Sequence, residues 1–189
     1  MATLLLLMAG CVLFPGTIEE QLPKLRDKLP ESTRVYIPNP LNPQGGFLYT
    51  RNAQVIVDEF RRAFAARGIS VHIPDRRSGS RRSVAEDART NTCDVVLFTN
   101  IESWEYGEAG FSGFGGRDEV TLGVVLADPA RDRILSRSRI YVANGIGRSS
   151  FGGNDNPGEV VAPIIRKYVF SLFPPCDEKE LARREGEKK

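Results

Sequence analysis

The sequence lacks both the long apolar run of a membrane-spanning chain and the strong charge excess of a nucleic-acid-binding one. No apolar stretch approaches the roughly 20 residues that a helix needs to cross a bilayer, which excludes a spanning helix. Lysine and arginine together number 26, against 24 aspartate and glutamate residues, so the formal net charge is only +2. Such a small excess gives no reason to expect nucleic acid or an acidic substrate as a partner.

Histidine and cysteine, the residues of many catalytic and metal sites, are also scarce. His72 is the only histidine, and no GxSxG or comparable nucleophile signature accompanies it, so we interpret it as a structural residue of a strand. The three cysteines lack a zinc-binding spacing. The glycine-rich stretch 107–116 precedes a strand and contains neither GxGxxG nor a GK pair, unlike a phosphate-binding loop. We therefore expect no metal and no cofactor.

The N-terminus has the order of a bacterial lipoprotein leader. An apolar block, residues 2–9, precedes Gly10 and Cys11, as in a signal peptide with its cleavage point. Leu7, Ala9, Gly10 and Cys11 resemble a lipobox, which predicts that residues 1–10 are removed and Cys11 is lipidated. The leader has no lysine or arginine before its apolar block, and the alternative is an ordinary apolar strand or helix.

The segment after the cysteine, residues 11–32, is predicted to be a tether. Thr17 and Glu20 have the spacing of a helix capping box, which favours a short amphipathic helix. Pro15, Pro23 and Pro30 oppose a long helix and favour a loose tether instead. Both interpretations remain open from the sequence alone.

The folded domain is predicted to occupy residues 33–175, before a solvated charged tail at 176–189. Apolar periodicity alternates between strand and helix, with strands at 34–37, 69–73 and 94–98 and helices at 52–67 and 83–89, the latter opened by a Ser83/Glu86 capping box. An antiparallel hairpin, 119–128 with 134–142, and a final helix, 158–173, follow. This order predicts a single α/β domain with α+β character, in which helices cover a mixed sheet.

Two further groups of side chains are candidates for chemistry or binding. Cys93 and Cys176 could pair in an oxidising periplasm, although two unpaired cysteines fit the sequence equally well. A loop rich in arginine could contact anionic head groups or phosphate, but a solvated surface loop is favoured because no aromatic residue is interleaved. Its members are Arg76, Arg77, Arg81 and Arg82.

Acidic residues near the third strand offer an enzymatic alternative. Glu102, Glu105 and Asp118 could supply the two carboxylates of a cell-envelope glycan hydrolase, but the sequence cannot set their separation. Charged residues are mostly exposed, so solvated loop carboxylates are the favoured interpretation. We expect a non-catalytic accessory or binding protein, with the hydrolase as the alternative.

A combination of motifs in the second half of the chain resembles an uncharacterised bacterial lipoprotein family, domain of unknown function 4823. The shared elements are a Trp-Glu pair, an aromatic-Ser-Gly turn, an aspartate that opens a hairpin, and an FGGxDxP loop before the last helix. They correspond here to Trp104, Glu105, Phe111, Ser112, Gly113, Asp118, Phe151, Gly152, Gly153, Asp155 and Pro157. An additional residue, Asn154, and extra glycines around Phe114 depart from the family pattern.

The resemblance implies an exported, lipid-anchored domain without an established activity. Family sorting rules favour the outer membrane, because Val12 is not the aspartate associated with inner-membrane retention. Exposed aromatics in loops are typical interface anchors, so we predict that two Phe-Gly loops lie together and face another envelope protein. Those loops and their flanks contain Trp104, Glu105, Phe111, Phe114, Asp118, Phe151 and Asp155. Phenylalanines that fold back onto the core are the alternative.

Overall fold

The elements of the protein alternate between strands and helices in the order predicted from its sequence. A computed structural model describes residues 16–38, 47–74, 80–105, 119–143 and 157–175. The strands are β1 (Gly16–Gln21), β2 (Arg34–Tyr36), β3 (Ser70–His72), β4 (Val95–Glu105), β5 (Glu119–Asp128) and β6 (Arg133–Ala143). The helices are α1 (Phe47–Arg67), α2 (Arg81–Thr90) and α3 (Pro157–Ser171).

The six strands form one mixed sheet in the order β1-β6-β5-β4-β2-β3. β2 lies between β3 and β4 and is parallel to both, because α1 and α2 provide the crossovers that parallel strands require. β4, β5, β6 and β1 are antiparallel to their neighbours. The predicted α/β fold with α+β character is therefore confirmed, including the hairpin of β5 and β6.

The main hydrophobic core lies between one face of the sheet and the pair α1 and α3. Alternate residues of β5 supply that face, since Val120, Leu122, Val124 and Leu126 are buried while their neighbours up to Val125 are half-exposed. Phe60 of α1 contacts Tyr168 of α3 edge-to-face, and Phe64 contacts Phe173 in the same way. The predicted apolar faces of both helices are thus the faces that form the core.

Helix α2 covers part of the opposite face of the sheet. Val84 and Ala88 of α2 pack with Tyr36, Cys93 and Val96 in a second, smaller cluster. The helix begins earlier than the predicted Ser83/Glu86 box, because Ser80 is the N-cap and Ser83 occupies the third helical position. The Ser83 amide donates to the Ser80 hydroxyl at 3.2 Å, and the Ser80 amide donates to the Ser83 hydroxyl at 2.9 Å.

The start of the predicted tether is a strand rather than a helix. Residues Gly16–Gln21 pair antiparallel with β6, with Ile18 opposite Ile140, so the capping-box interpretation of Thr17 and Glu20 was wrong. The reason is tertiary: β6 offers an edge for pairing, and Gly16 lies so close to α3 that a Cβ there would be 3.2 Å from Ile164 Cδ1. The sheet thus begins before position 33, while the domain limits themselves stay a prediction.

The two ends of the sheet differ in what they connect. At one end the chain makes compact turns, such as residues 129–132 between β5 and β6. At the other end the strands lead into the segments 39–46, 75–79, 106–118 and 144–156, none of which belongs to the described residues. Because β1 also begins there, at Gly16, the segment that contains the predicted leader joins the domain at this same end. We call this end of the sheet the loop end.

Candidate functional site

The predicted Phe-Gly loops both leave from the loop end of the antiparallel strands. Glu105, the last residue of β4, is opposite Glu119, and Glu119 is opposite Ala143, the last residue of β6. The loop after β4 and the loop after β6 therefore start from neighbouring positions, as the hairpin geometry predicts. Phe111, Phe114, Asp118, Phe151 and Asp155 lie outside the described residues, so their own positions stay a prediction.

Trp104 and Glu105 form the last two positions of β4, opposite Val120 and Glu119. The structure gives only the register of Trp104, and its interpretation as a residue at the edge of the core stays a prediction. Cys11, the predicted lipidation site, belongs to the part of the chain that the structure leaves undescribed. Gly16 in β1 is five positions after it.

One face of the antiparallel strands is covered by a described helix only at the start of β4, where α2 packs on Val96 and Phe98. Away from α2, the side chains on this face alternate with the core residues of the same strands and are mostly polar or half-exposed. One row across the strands is formed by Thr17, Tyr141, Thr121 and Ser103, which are consecutive partners in the register. We call this surface, on β1, β6, β5 and β4 and opposite α1 and α3, the open face.

An ion pair crosses the middle of the open face. Arg139 of β6 donates from Nε to Glu102 Oε2 of β4 at 2.8 Å, although β5 lies between their strands. Gly123 of β5 allows this approach, because a Cβ on Gly123 would lie 2.9 Å from Glu102 Oε1. Glu102 is the extra residue where the pairing of β4 and β5 shifts between Ile101 and Ser103, and such a bulge redirects a side chain.

The hydrolase alternative required Glu102 to act with Glu105 or Asp118. The structure gives the Glu102 carboxylate a guanidinium partner, Arg139, on a partly exposed surface. Asp118 is absent from the described ranges, and Glu105 is described only by its strand position, opposite Glu119. The hydrolase therefore stays an alternative that rests on the sequence.

The arginine cluster is divided between the described and undescribed parts of the chain. Arg76 and Arg77 belong to the segment 75–79, of which nothing is described. Arg81 and Arg82 form the first turn of α2, where Arg81 lies over the ring of Phe98 at 5.5 Å and Arg82 donates to Glu86 at 3.2 Å. The two described arginines therefore already have partners within the domain, and their contact with an anion stays a prediction.

Cys93 is a buried free thiol under α2. Burial raises the pKa of Cys93, an effect that Arg34 opposes and Asp94 reinforces. A thiol held in its protonated form is a poor nucleophile, so we assign Cys93 a packing role. Its predicted disulfide partner, Cys176, follows the last described residue, and the pairing stays a prediction. His72 stacks on Tyr36 with ring centroids 5.4 Å apart, which agrees with its interpretation as a structural residue.

The described ranges contain neither a metal-binding cluster nor a membrane-spanning helix. Among these residues no group of three or more histidine, cysteine, aspartate or glutamate side chains could hold a metal ion. None of the three described helices is both long and apolar enough to cross a bilayer.

The open face was not predicted from the sequence. Gly123 and Arg139 were not singled out, although the alternation of polar and apolar residues in both strands is visible in the sequence. What the sequence does not show is the bulge at Glu102, which turns this side chain toward β6. A glycine in the interior of a strand was the available signal, since such a glycine often marks a close approach of another group.

Solved structures of bacterial proteins share this fold. PelC from Paraburkholderia phytofirmans, solved as a dodecamer, has a TM-score of 0.59 and 18% identity, covering 85% of this chain and 99% of its own. XCC0632 from Xanthomonas campestris, of the family with domain of unknown function 330, has a TM-score of 0.50 and 11% identity, covering 82% and 89%. Lipoprotein GNA1162 from Neisseria meningitidis has a TM-score of 0.46 and 15% identity, covering 74% and 99%.

Sequence comparisons add no closer relationship. No protein-family model matches the chain, so its resemblance to domain of unknown function 4823 is not confirmed. No curated protein is similar to it in sequence. At identities below 20%, the structural similarity establishes the fold that this chain shares with PelC and XCC0632, and nothing about its activity.

Proposed function

We propose that this chain is a lipid-anchored, non-catalytic accessory protein on the periplasmic side of the bacterial outer membrane. Its partner is another envelope protein, which binds the open face. The observation that carries the proposal is the half-exposed Glu102–Arg139 pair on a four-stranded surface that α2 covers only at the start of β4. The leader that ends in Cys11 supports the anchor.

The chemistry of the open face is suited to a protein partner. Flat antiparallel sheets offer side chains in fixed rows, and paired charges within them favour one partner orientation over others. Arg139 and Glu102 present one charge of each sign, beside the hydroxyl row of Thr17, Thr121 and Ser103. A surface that presents charges of both signs can pair with complementary charges on a protein partner.

The anchor is tested by Cys11→Ser in the chain as it is synthesised. We expect the variant to lose membrane association and to keep its melting temperature, because acyl chains rather than surface contacts hold the protein. Fractionation followed by a high-salt wash measures the association. A variant that still sediments with membranes after the wash would contradict the anchor, and mature protein recovered in the inner membrane would contradict the predicted sorting.

The open face is tested by photo-crosslinking in intact cells. A photoreactive residue at Thr121 should capture one defined envelope protein, whereas the same residue at Arg61, on the exposed side of α1, should not. Arg139→Glu should abolish the capture at Thr121, because it places two carboxylates side by side. Capture that is equal at both positions, or that survives Arg139→Glu, would refute the open face as the interface.

The crosslinks also distinguish another envelope protein from a second copy of this chain. The dodecameric state is a property of PelC in its solved structure, and it makes self-association the alternative occupant of the open face. A crosslinked product at twice the mass of this chain would identify self-association and would contradict a separate envelope partner. A heavier product of mixed sequence supports the proposal.

A further inference from the structure

A cleft at the end of the domain opposite the loop end contains unpaired hydroxyl groups. It has a volume of about 170 Å³ and lies between the end of β1, the chain that follows it, the start of β6 and the last turn of α3. Ser136, Ser138 and Tyr168 contribute hydroxyl groups to its lining. All three residues are at least nine-tenths buried, with exposures of 4%, 6% and 2%.

Two of these hydroxyl groups are unusual because they are buried without partners among the described residues. Neither the phenol oxygen of Tyr168 nor the hydroxyl of Ser136 has a hydrogen-bond partner among the described residues. Buried polar groups in proteins nearly always have a partner, and leaving one unpaired costs about 1 to 3 kcal/mol. A polar occupant of the cleft, either water or a ligand, is therefore expected.

Near pH 7, Tyr168 can bind such an occupant only through its protonated phenol group. Burial raises the pKa of Tyr168 to about 12. The phenol therefore keeps its proton throughout the physiological range and can donate it in a hydrogen bond. The serine hydroxyls can donate as well, so the deep part of the cleft offers up to three O–H donors.

Positive charge predominates around the opening of the cleft. Lys28 donates to the Ser171 carbonyl at 2.6 Å, and Lys24 lies 3.7 Å from Glu20, so these two ammonium groups have partners. Arg26 and Arg137 have no ionic partner in the ranges that the structure describes. In total, four cations and two carboxylates line the cleft: Lys24, Arg26, Lys28, Arg137, Glu20 and Asp27.

We propose that this cleft binds a small oxyanion, the carboxylate or phosphate group of a ligand. An oxyanion only accepts hydrogen bonds, and the cleft offers donors from Tyr168, Ser136 and Ser138, with the guanidinium group of Arg26 at its opening. Guanidinium groups bind carboxylate and phosphate through two parallel hydrogen bonds, which adds geometric selectivity. The site is separate from the open face, because Tyr168, Ser136 and Ser138 lie on the core side of the sheet.

The test uses the full chain purified in detergent, with sodium phosphate and sodium acetate as separate probes. The melting temperature should rise saturably with at least one of them over about 1 to 50 mM, beyond the effect of sodium chloride at equal ionic strength. A rise with phosphate alone assigns a phosphate group, and a rise with acetate alone assigns a carboxylate. No rise with either, or an equal rise with chloride or with glycerol, overturns the proposal.

Two variants assign the effect to the cleft. Tyr168→Phe and Arg26→Gln should each raise the dissociation constant at least about tenfold, because each removes a hydrogen bond to the anion. Arg61→Gln, at an exposed arginine outside the cleft, should leave the constant unchanged. Without anion, Tyr168→Phe should melt no lower than the parent chain, since it removes an unpaired hydroxyl and keeps the ring. A full anion response in Tyr168→Phe also overturns the proposal.

Discussion

Gly123 shows how a single missing side chain shapes a surface. Without a Cβ at this position, Glu102 reaches over β5 and meets Arg139. The sequence indicates a glycine within an alternating strand, but it does not indicate which neighbour uses the space. That information depends on the register of β4 and on its bulge, both of which are set by tertiary contacts.

The role of Gly123 can be tested by comparing Gly123→Ala in two backgrounds. In Glu102→Ala the new methyl group meets no carboxylate, and we expect a gain of about 0.4 to 1 kcal/mol in unfolding free energy from the restricted unfolded chain. In the parent chain the gain should be smaller, because Glu102 must move and its exposed pair with Arg139 is lost. Urea denaturation of the four proteins measures the coupling. Equal gains in both backgrounds would disprove it.

The raised pKa of Tyr168 predicts that the folded protein loses stability at alkaline pH. Its folded pKa is raised to about 12 from the ordinary value of 10, so the folded state favours the protonated phenol. The corresponding stabilisation is complete below pH 10 and is lost as the pH rises toward 12, by roughly 1 kcal/mol at pH 11. Tyr168→Phe has no phenol group and therefore lacks this pH-dependent stabilisation. Chemical denaturation at pH 9 and pH 11 should show a steeper decline for the parent chain than for Tyr168→Phe, and parallel declines would contradict the assignment.

At the scale of elements, periodicity predicted most of the fold and failed where tertiary pairing decides. The hairpin of β5 and β6 alternates between apolar and polar residues over most of its length, and α3 carries a clear apolar stripe, so their positions were predicted closely. α1 begins at Phe47, five residues before its predicted start. β1 was missed because GTIEEQ has a weak strand pattern and acquires its structure from the free edge of β6. The N-cap of α2 at Ser80 was not predicted, because its capping box has Ser83 rather than a glutamate or glutamine at the third helical position.

The end of α1 is held by a buried arginine. The Arg67 side chain is 1% exposed, donates to Glu31 at 3.0 Å and lies 5.9 and 6.0 Å from the ring centroids of Phe170 and Phe173. It also donates to the carbonyl of Pro174, so one side chain links α1 with the segments before β2 and after α3. Nothing in the sequence distinguishes Arg67 from the other arginines of α1.

Substitution of Arg67 should therefore be far more costly than substitution of a neighbouring surface arginine. We expect Arg67→Ala to lower the unfolding free energy by about 2 to 4 kcal/mol, since it removes buried packing together with the contacts to Glu31 and to the Pro174 carbonyl. Arg61→Ala is the matched control in the same helix, and its half-exposed pair with Asp58 at 3.4 Å should change stability by less than about 0.5 kcal/mol. Similar losses in the two variants would refute the linking role of Arg67.

At the scale of the whole molecule, the two ends of the sheet have different roles. The loop end receives the chain from the predicted anchor and gives rise to both Phe-Gly loops, while the oxyanion cleft lies at the opposite end. The sequence predicted that the two loops start side by side, because hairpin geometry requires it. The position of the anchor relative to them could not be predicted, since it depends on β1 pairing with β6 rather than forming a helix.

This arrangement predicts the orientation of the anchored protein. Gly16 is five positions after Cys11, and five extended steps span at most about 18 Å, so the predicted lipidation of Cys11 would hold the loop end close to the bilayer. β6 runs from Arg133 to Ala143, and its ten steps correspond to about 33 Å along the sheet. With phenylalanines in the loops at the anchored end, the domain should stand with its cleft directed away from the membrane.

Fluorescence quenching by spin-labelled lipids measures this orientation. A fluorescent residue at Thr17, in the exposed first part of β1, should be quenched strongly, and the same residue at Ala130, in the turn between β5 and β6, should be quenched little. Cys11→Ser in solution with the same vesicles is the control, and it should lose the quenching at Thr17. Equal quenching at Thr17 and Ala130 would mean that the domain lies flat on the bilayer, because only then are both ends of the sheet at the same depth.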